Sequence, residues 1–80
     1  MTKEEIKRAI IEQILAVAPD VEEEDIEPDA NLQRSLEIDS FDFLKVLTGL
    51  NREMGVEVPE ADYGKVDTLE HMAEYFAQRL

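Results

Sequence analysis

The chain has 80 residues, and its 20 acidic side chains outnumber the 8 basic ones, which leaves a formal net charge of −12. This length allows one small domain, residues 1–80, and excludes a doubly wound sheet, a TIM barrel and most self-sufficient enzymes. The charge disfavours nucleic acid and anionic membrane surfaces as partners, because like charges repel. Cysteine is absent, which excludes disulfides and thiolate metal sites.

The chain is 44% hydrophobic and 35% charged, a composition that lies between that of a folded domain and that of a disordered acidic tail. The order of the apolar residues therefore has to decide between the two. The apolar residues recur periodically, which favours a folded protein. No apolar run reaches the roughly 18 residues of a membrane-spanning helix, and no apolar signal core follows Met1. We therefore expect a cytoplasmic protein without membrane insertion.

The first predicted element is a helix over residues 3–18. Thr2 and Glu5 have the spacing of a capping box, in which a hydroxyl and a carboxylate satisfy free backbone donors. Pro19 follows at a point where a helix cannot continue. The apolar stripe of this helix consists of Ile6, Ile10, Ile14 and Val17, widened by Ile11 and Leu15.

A long first loop is predicted over residues 20–39, because this segment holds Pro28, an acidic run at residues 22–25 and few apolar side chains. One short helical turn is expected at residues 31–34. Loops of this length are uncommon in compact domains unless they are functional or disordered. We expect an ordered loop, anchored to the core by Ile26, Leu32 and Leu36.

The second long helix is predicted over residues 40–54, and Gly55 fits its end. Either Asp39 or Ser40 is suited to the N-cap position. Residues placed at 100° steps separate an inner face from an outer one. The inner face consists of Phe43, Val46, Leu47, Leu50 and Met54.

An extended connector at residues 56–59 and a helical turn at residues 60–65 precede the last predicted helix. This helix ends near Arg79, and either Asp67 or Thr68 fits its N-cap. Its inner face consists of Leu69, Met72, Ala73, Phe76 and Leu80. The pattern thus predicts an all-α fold, a small four-helix bundle with three long helices, one short helix and a long first loop.

No catalytic constellation emerges from the sequence. His71 is the only histidine and falls on the outer side of the last helix, and nothing in the pattern brings it to Ser35 or Ser40. The chain has no P-loop, GxGxxG or HExxH motif, and the EF-hand spacing is absent. We therefore predict a protein that is not an enzyme and that has no metal site.

One segment, residues 36–43, nevertheless combines features of a functional site. A serine or an aspartate at a helix start is most simply explained as an N-cap. However, Ser40 follows a long loop and precedes Phe41, which falls on the polar side of the helix. A large exposed aromatic is costly unless a partner covers it. We interpret this segment as a place where another protein docks and modifies the Ser40 hydroxyl.

The segment Asp39-Ser40-Phe41-Asp42, with Leu36 four residues before the serine, resembles the prosthetic-group attachment motif of acyl carrier proteins. That motif is Asp-Ser-Leu followed by an acid. The resemblance extends over most of the chain, through the acidic composition, the order of the helices and the connector at residues 56–59. It implies a four-helix carrier domain in which 4′-phosphopantetheine is attached to Ser40 and holds cargo as a thioester.

The resemblance also implies partners and residue roles. A phosphopantetheinyl transferase would move the group from coenzyme A to Ser40, and acyl-loading ligases, synthases or acyltransferases would dock through basic patches. Asp39 and Asp42 are implied to assist at the cofactor site, and we expect a monomer. The residues expected to contribute to partner recognition are Phe41, Asp42, Leu44, Lys45 and Glu53.

The sequence departs from the pattern common in fatty acid synthesis. Phe41 replaces the usual Leu, Phe43 the usual Thr, and Lys45 a typical partner-recognition Glu, while Arg52 adds a further positive charge. These departures indicate a specialised member with acyl or aminoacyl cargo, in lipid or secondary-metabolite biosynthesis. The alternative is an unmodified acidic helical adaptor, and a calcium-responsive protein is a distant third.

Overall fold

A computed structural model describes residues 1–80. The helices are α1 (Lys3–Val17), α2 (Leu32–Ser35), α3 (Ser40–Met54) and α4 (Leu69–Arg79), with 3₁₀ helices at Glu23–Asp25 and Glu60–Lys65. The predicted all-α class, with three long helices, one short helix and a long first loop, is confirmed. None of these helices combines the length and the apolar character that a membrane crossing requires.

Helix α1 lies against both α3 and α4 and forms the centre of the bundle. The Thr2 hydroxyl accepts a hydrogen bond from the Glu5 amide at 3.2 Å, and the Thr2 amide donates to the Glu5 carboxylate at 2.7 Å. The predicted capping box is therefore present. The residues that α1 buries are Ile6, Ala9, Ile10 and Ile14.

The long first loop is ordered by apolar anchors and by two backbone hydrogen bonds to the beginning of α4. Ile26 and Leu32 are buried, as predicted, whereas Leu36 is only partly buried. The Leu32 amide donates to the Asp67 carbonyl at 2.8 Å, and the Glu70 amide donates to the Pro28 carbonyl at 3.0 Å. These contacts fix the loop that leads into α3.

The inner face of α4 differs from the prediction at one position. Leu80 is 52% exposed, so its assignment to the core was wrong. The reason is that α4 ends at Arg79, and a residue beyond the last turn no longer follows the helical stripe. Tyr75 is buried instead, and its hydroxyl donates to the Asp62 carboxylate at 2.7 Å, which satisfies the polar end of the ring.

Candidate functional site

The first turn of α3 is set by Asp39. Its carboxylate accepts a hydrogen bond from the Asp42 amide at 2.8 Å, so Asp39 is the N-cap and Ser40 is the first helical residue. The preceding Ile38 is buried and its amide donates to the Gln33 carbonyl at 3.0 Å. The chain therefore enters the helix from a fixed position.

Ser40 is exposed to solvent, as the sequence predicted. The backbone amides of Ser40 and Phe41 donate to no acceptor in the protein, whereas the Phe43 amide donates to the Asp39 carbonyl at 3.0 Å. Free amides and the positive end of the helix dipole together favour an anion at this place. A phosphate esterified to Ser40 is compatible with this environment.

The rest of α3 holds the serine rigidly in place. Phe43, Val46, Leu47 and Leu50 are buried, as predicted, and Met54 is partly buried. The helix ends at Gly55, which adopts the left-handed conformation with φ of +71° that glycine tolerates without steric cost. The helical phase predicted from the sequence is thus confirmed by burial.

The structure places the predicted partner-recognition residues on the solvent side of α3. Phe41 is 79% exposed and Leu44 is 45% exposed, which are large values for apolar side chains. Lys45 lies 3.6 Å from the Asp42 carboxylate, and the Glu53 carboxylate accepts a hydrogen bond from Gln13 at 3.2 Å. The exposed face of the helix therefore mixes apolar groups with charges of both signs.

Two grooves flank α3. One, of about 360 Å³, lies between α3 and the segment around the second 3₁₀ helix, and its apolar lining residues are Leu44, Leu47, Val58 and Pro59, with Tyr63 beside them. The other, of about 460 Å³, lies between α1 and α3, and its lining includes Val17, Phe41, Leu44, Lys45 and Arg52. Sequence reasoning placed residues on the faces of α3 but did not predict either groove.

A second feature that the sequence did not reveal is the conformation of Glu37, three residues before Ser40. Its φ of 55° lies in the left-handed region, and no other non-glycine residue has a positive φ. Glutamate has no special preference for this region, so residue type gave no indication of it. The turn that delivers the chain to Asp39 therefore depends on a strained residue.

The structure brings no side chain to Ser40 that would activate its hydroxyl. His71 lies on the outer side of α4, as predicted, where its Nδ1 is 2.7 Å from the Asp67 carboxylate. No group of three or more histidine, aspartate or glutamate side chains is arranged to hold a metal ion.

Comparison with known proteins agrees with this geometry. A family model described as the phosphopantetheine attachment site matches residues 8–76. An acyl carrier protein of Rubrobacter xylanophilus is 31% identical over 78 residues, which cover 98% of this chain and 95% of that protein. Both similarities extend across the helices and include the segment around Ser40.

Proposed function

The chain belongs to the phosphopantetheine-binding acyl carrier proteins, and we propose that Ser40 is the residue to which its 4′-phosphopantetheine is attached. The observation that carries this proposal is an exposed serine at the first position of a firmly anchored helix, within Asp39-Ser40-Phe41-Asp42. The other serine, Ser35, ends the four-residue helix α2 and lacks such a setting.

The attachment chemistry requires little from this chain. The Ser40 Oγ attacks the phosphorus of coenzyme A that bears pantetheine, a phosphodiester forms, and adenosine 3′,5′-bisphosphate leaves. The base that accepts the hydroxyl proton and the magnesium ion come from the phosphopantetheinyl transferase, which is consistent with the lack of a histidine beside Ser40. The free amides of Ser40 and Phe41 are available to the phosphate.

The two aspartates of the segment have different roles in this proposal. The Asp39 carboxylate caps α3 and keeps Ser40 in the first turn. The backbone amide of Asp42 donates a hydrogen bond to that carboxylate, and the Asp42 carboxylate lies 3.6 Å from the Lys45 ammonium group. Both carboxylates lie close enough in sequence to Ser40 to help position the transferase and its magnesium ion.

The surroundings of Ser40 also fit the polarity of a pantetheine arm. When bound, the arm supplies the thiol that holds cargo as a thioester, and this chain has no cysteine of its own. The groove lined by Leu44, Leu47, Val58, Pro59 and Tyr63 begins about one helical turn from Ser40. Its mixed lining suits an arm that alternates methylene and amide groups.

The protein is a carrier rather than a catalyst, and its partners are enzymes that load, extend or remove the cargo. We infer that residues 1–80 act as one monomeric carrier domain in the cytoplasm and deliver acyl or aminoacyl cargo to ligases, synthases or acyltransferases. The net charge of −12 supports steering by partners with basic patches. The departures from the common pattern at Phe41 and Lys45, with the further positive charge of Arg52, support the proposal that this carrier acts in a specialised pathway.

Intact-mass spectrometry tests the attachment site. The chain is incubated with coenzyme A, magnesium and a broad-specificity phosphopantetheinyl transferase, and we expect a gain of one phosphopantetheinyl group. Ser40→Ala is expected to abolish the gain, and Ser35→Ala, the matched control, is expected to leave it unchanged. A gain that persists in Ser40→Ala would overturn the assignment, and no gain with several transferases would favour the unmodified adaptor.

A further inference from the structure

The groove between α1 and α3 begins directly beside the proposed attachment site. Phe41, the residue after Ser40, lines its upper end, and Arg52 lines its lower end. At 1.5 Å rise per residue these two positions lie about 16 Å apart along the helix. Val17 and Leu44 add apolar surface between them. The groove therefore offers an elongated surface with an apolar end next to Ser40.

The side chain of Gln13 lines this groove where it lies against Gly49. Gln13 of α1 crosses α3 at Gly49, where a Cβ atom would overlap the Gln13 amide group. The Gln13 amide in turn donates to the Glu53 carboxylate at 3.2 Å, which holds it across the helix. Gly49 thus leaves room for the Gln13 side chain against α3, and this flexible side chain is the group that a Cβ atom at position 49 would displace.

The two cations at this groove are less closely paired with carboxylates than the cations of α1 are. Lys3, Lys7 and Arg8 lie within 2.7–3.0 Å of carboxylates, so their charges are neutralised locally. Arg52 forms no ion pair, and Lys45 has only the 3.6 Å contact with Asp42 and remains 69% exposed. A chain with a net charge of −12 therefore places two available cations on one groove.

We propose that this groove binds a segment of a partner protein that places an apolar side chain against Phe41 and Leu44 and a carboxylate between Lys45 and Arg52. The 79% exposed ring of Phe41 gains most from being covered, since burial of aromatic surface dominates interface energetics. The two cations are complementary to an acidic group.

This inference rests on the proposed function, because partner enzymes come to the groove only if they act on an arm attached to Ser40. The groove also gives the carrier a means of selection. A partner with a uniformly basic patch is attracted by the net charge but repelled locally by Lys45 and Arg52. A partner that sets an acidic residue within its basic patch meets both requirements, so this groove distinguishes its partners from those of uniformly acidic carriers.

The test is a titration of the unmodified, ¹⁵N-labelled chain, followed by amide chemical shifts. The probes are three capped peptides, acetyl-Glu-Leu-Leu-Glu-amide and its Gln and Lys counterparts, at concentrations up to about 10 mM, where millimolar affinity is detectable. We expect the Glu peptide to shift the amides of Thr48, Gly49 and Arg52. The Gln peptide is expected to bind more weakly by about fivefold or more, because it lacks the charges.

Variants separate the contributions to binding. Lys45→Gln combined with Arg52→Gln is expected to remove the preference for the Glu peptide over the Gln peptide, whereas Phe41→Ala is expected to weaken both. Arg34→Gln is the matched control, because Arg34 is exposed, forms no ion pair and lies on α2 away from the groove. We expect Arg34→Gln to bind the Glu peptide as the wild type does and to keep the preference for the Glu peptide over the Gln peptide.

Three results would overturn the proposal. The first is that no peptide shifts the groove amides, and the second is that the Lys and Glu peptides shift them equally. The third is that the groove amides shift with protein concentration in the absence of peptide, which would show that a second copy of the chain covers the groove. Because the titration uses the unmodified chain, its outcome is independent of whether mass spectrometry finds an arm on Ser40. Failure of one therefore does not imply failure of the other.

Discussion

The carboxylate of Asp39 accepts a hydrogen bond from the backbone amide of Asp42 at 2.8 Å, which makes the residue before Ser40 the N-cap of α3. Removing an N-cap costs about 1 kcal/mol, since one helical amide loses its acceptor. We expect Asp39→Ala to lower the free energy of unfolding by about that amount in urea denaturation.

Asp39→Asn serves as the matched control for this prediction, because asparagine is also a good N-cap but carries no charge. We expect this variant to keep nearly the full free energy of unfolding. If the charge of Asp39 helps to place the transferase, Asp39→Asn will still be modified more slowly at Ser40 in the mass assay. Equal losses of stability in Asn and Ala variants would show that the cap does not act as described.

The strained turn before Ser40 leads to a second prediction. Glu37 has a φ of 55°, and a side chain in the left-handed region costs roughly 1–2 kcal/mol that glycine does not incur. Glycine loses more backbone entropy on folding, which offsets part of the gain. We expect Glu37→Gly to raise the free energy of unfolding by about 0.5–1 kcal/mol. Glu37→Ala removes the carboxylate but keeps the strain, so a similar gain in that variant would point to charge instead.

Phe41 and Phe43 lie two positions apart on α3, and we expect substitution to reduce stability at Phe43 but not at Phe41. Phe41 is 79% exposed, so Phe41→Ala is expected to change the free energy of unfolding by less than about 0.5 kcal/mol. Phe43 is buried, and even the mild change Phe43→Leu is expected to cost about 1 kcal/mol. Urea denaturation measures both, and a large loss at Phe41 would show that its ring stabilises the fold.

The sequence predicted the long helices well because local rules and burial agree there. The Thr2 and Glu5 capping box, the inner face around Phe43 and Leu50, and the stop at Gly55 each follow from spacing and residue type. The alternative N-caps of α3 could not be resolved from sequence, since Asp39 and Ser40 both suit the position. Only the backbone geometry distinguishes them.

What the sequence did not predict depends on contacts between elements. The groove between α1 and α3 is lined by residues such as Gln13 and Gly49, which are far apart in the chain. Leu80 continues the apolar stripe of α4, but the helix ends before it. Tyr75 can be buried because Asp62, in a separate 3₁₀ helix, accepts a hydrogen bond from its hydroxyl. Periodicity along one helix contains no information on such contacts.

The junction of α1 and α4 leads to a prediction for acidic pH. Lys3 and Lys7 lie 2.7 and 2.9 Å from the two carboxylate oxygens of Glu70, and these contacts lower the pKa of Glu70 from 4.5 to about 2. A carboxyl whose pKa is lower in the folded state stabilises the protein above its unfolded pKa. This stabilisation is therefore complete above about pH 4.5 and is lost as the pH falls towards 2.

Glu70→Gln removes both of these ion pairs at all pH values, so the difference in melting temperature between the wild type and the variant isolates their contribution. We expect the wild type to melt a few degrees higher at pH 7 and low salt, the difference to shrink between pH 4.5 and 2, and high salt to reduce it, because the pairs are partly exposed. Glu57→Gln, an exposed carboxylate without an ion pair, is the control and should show no such pH dependence. A difference for Glu70→Gln that stays constant down to pH 2 would mean that the two lysines do not stabilise the charged carboxylate.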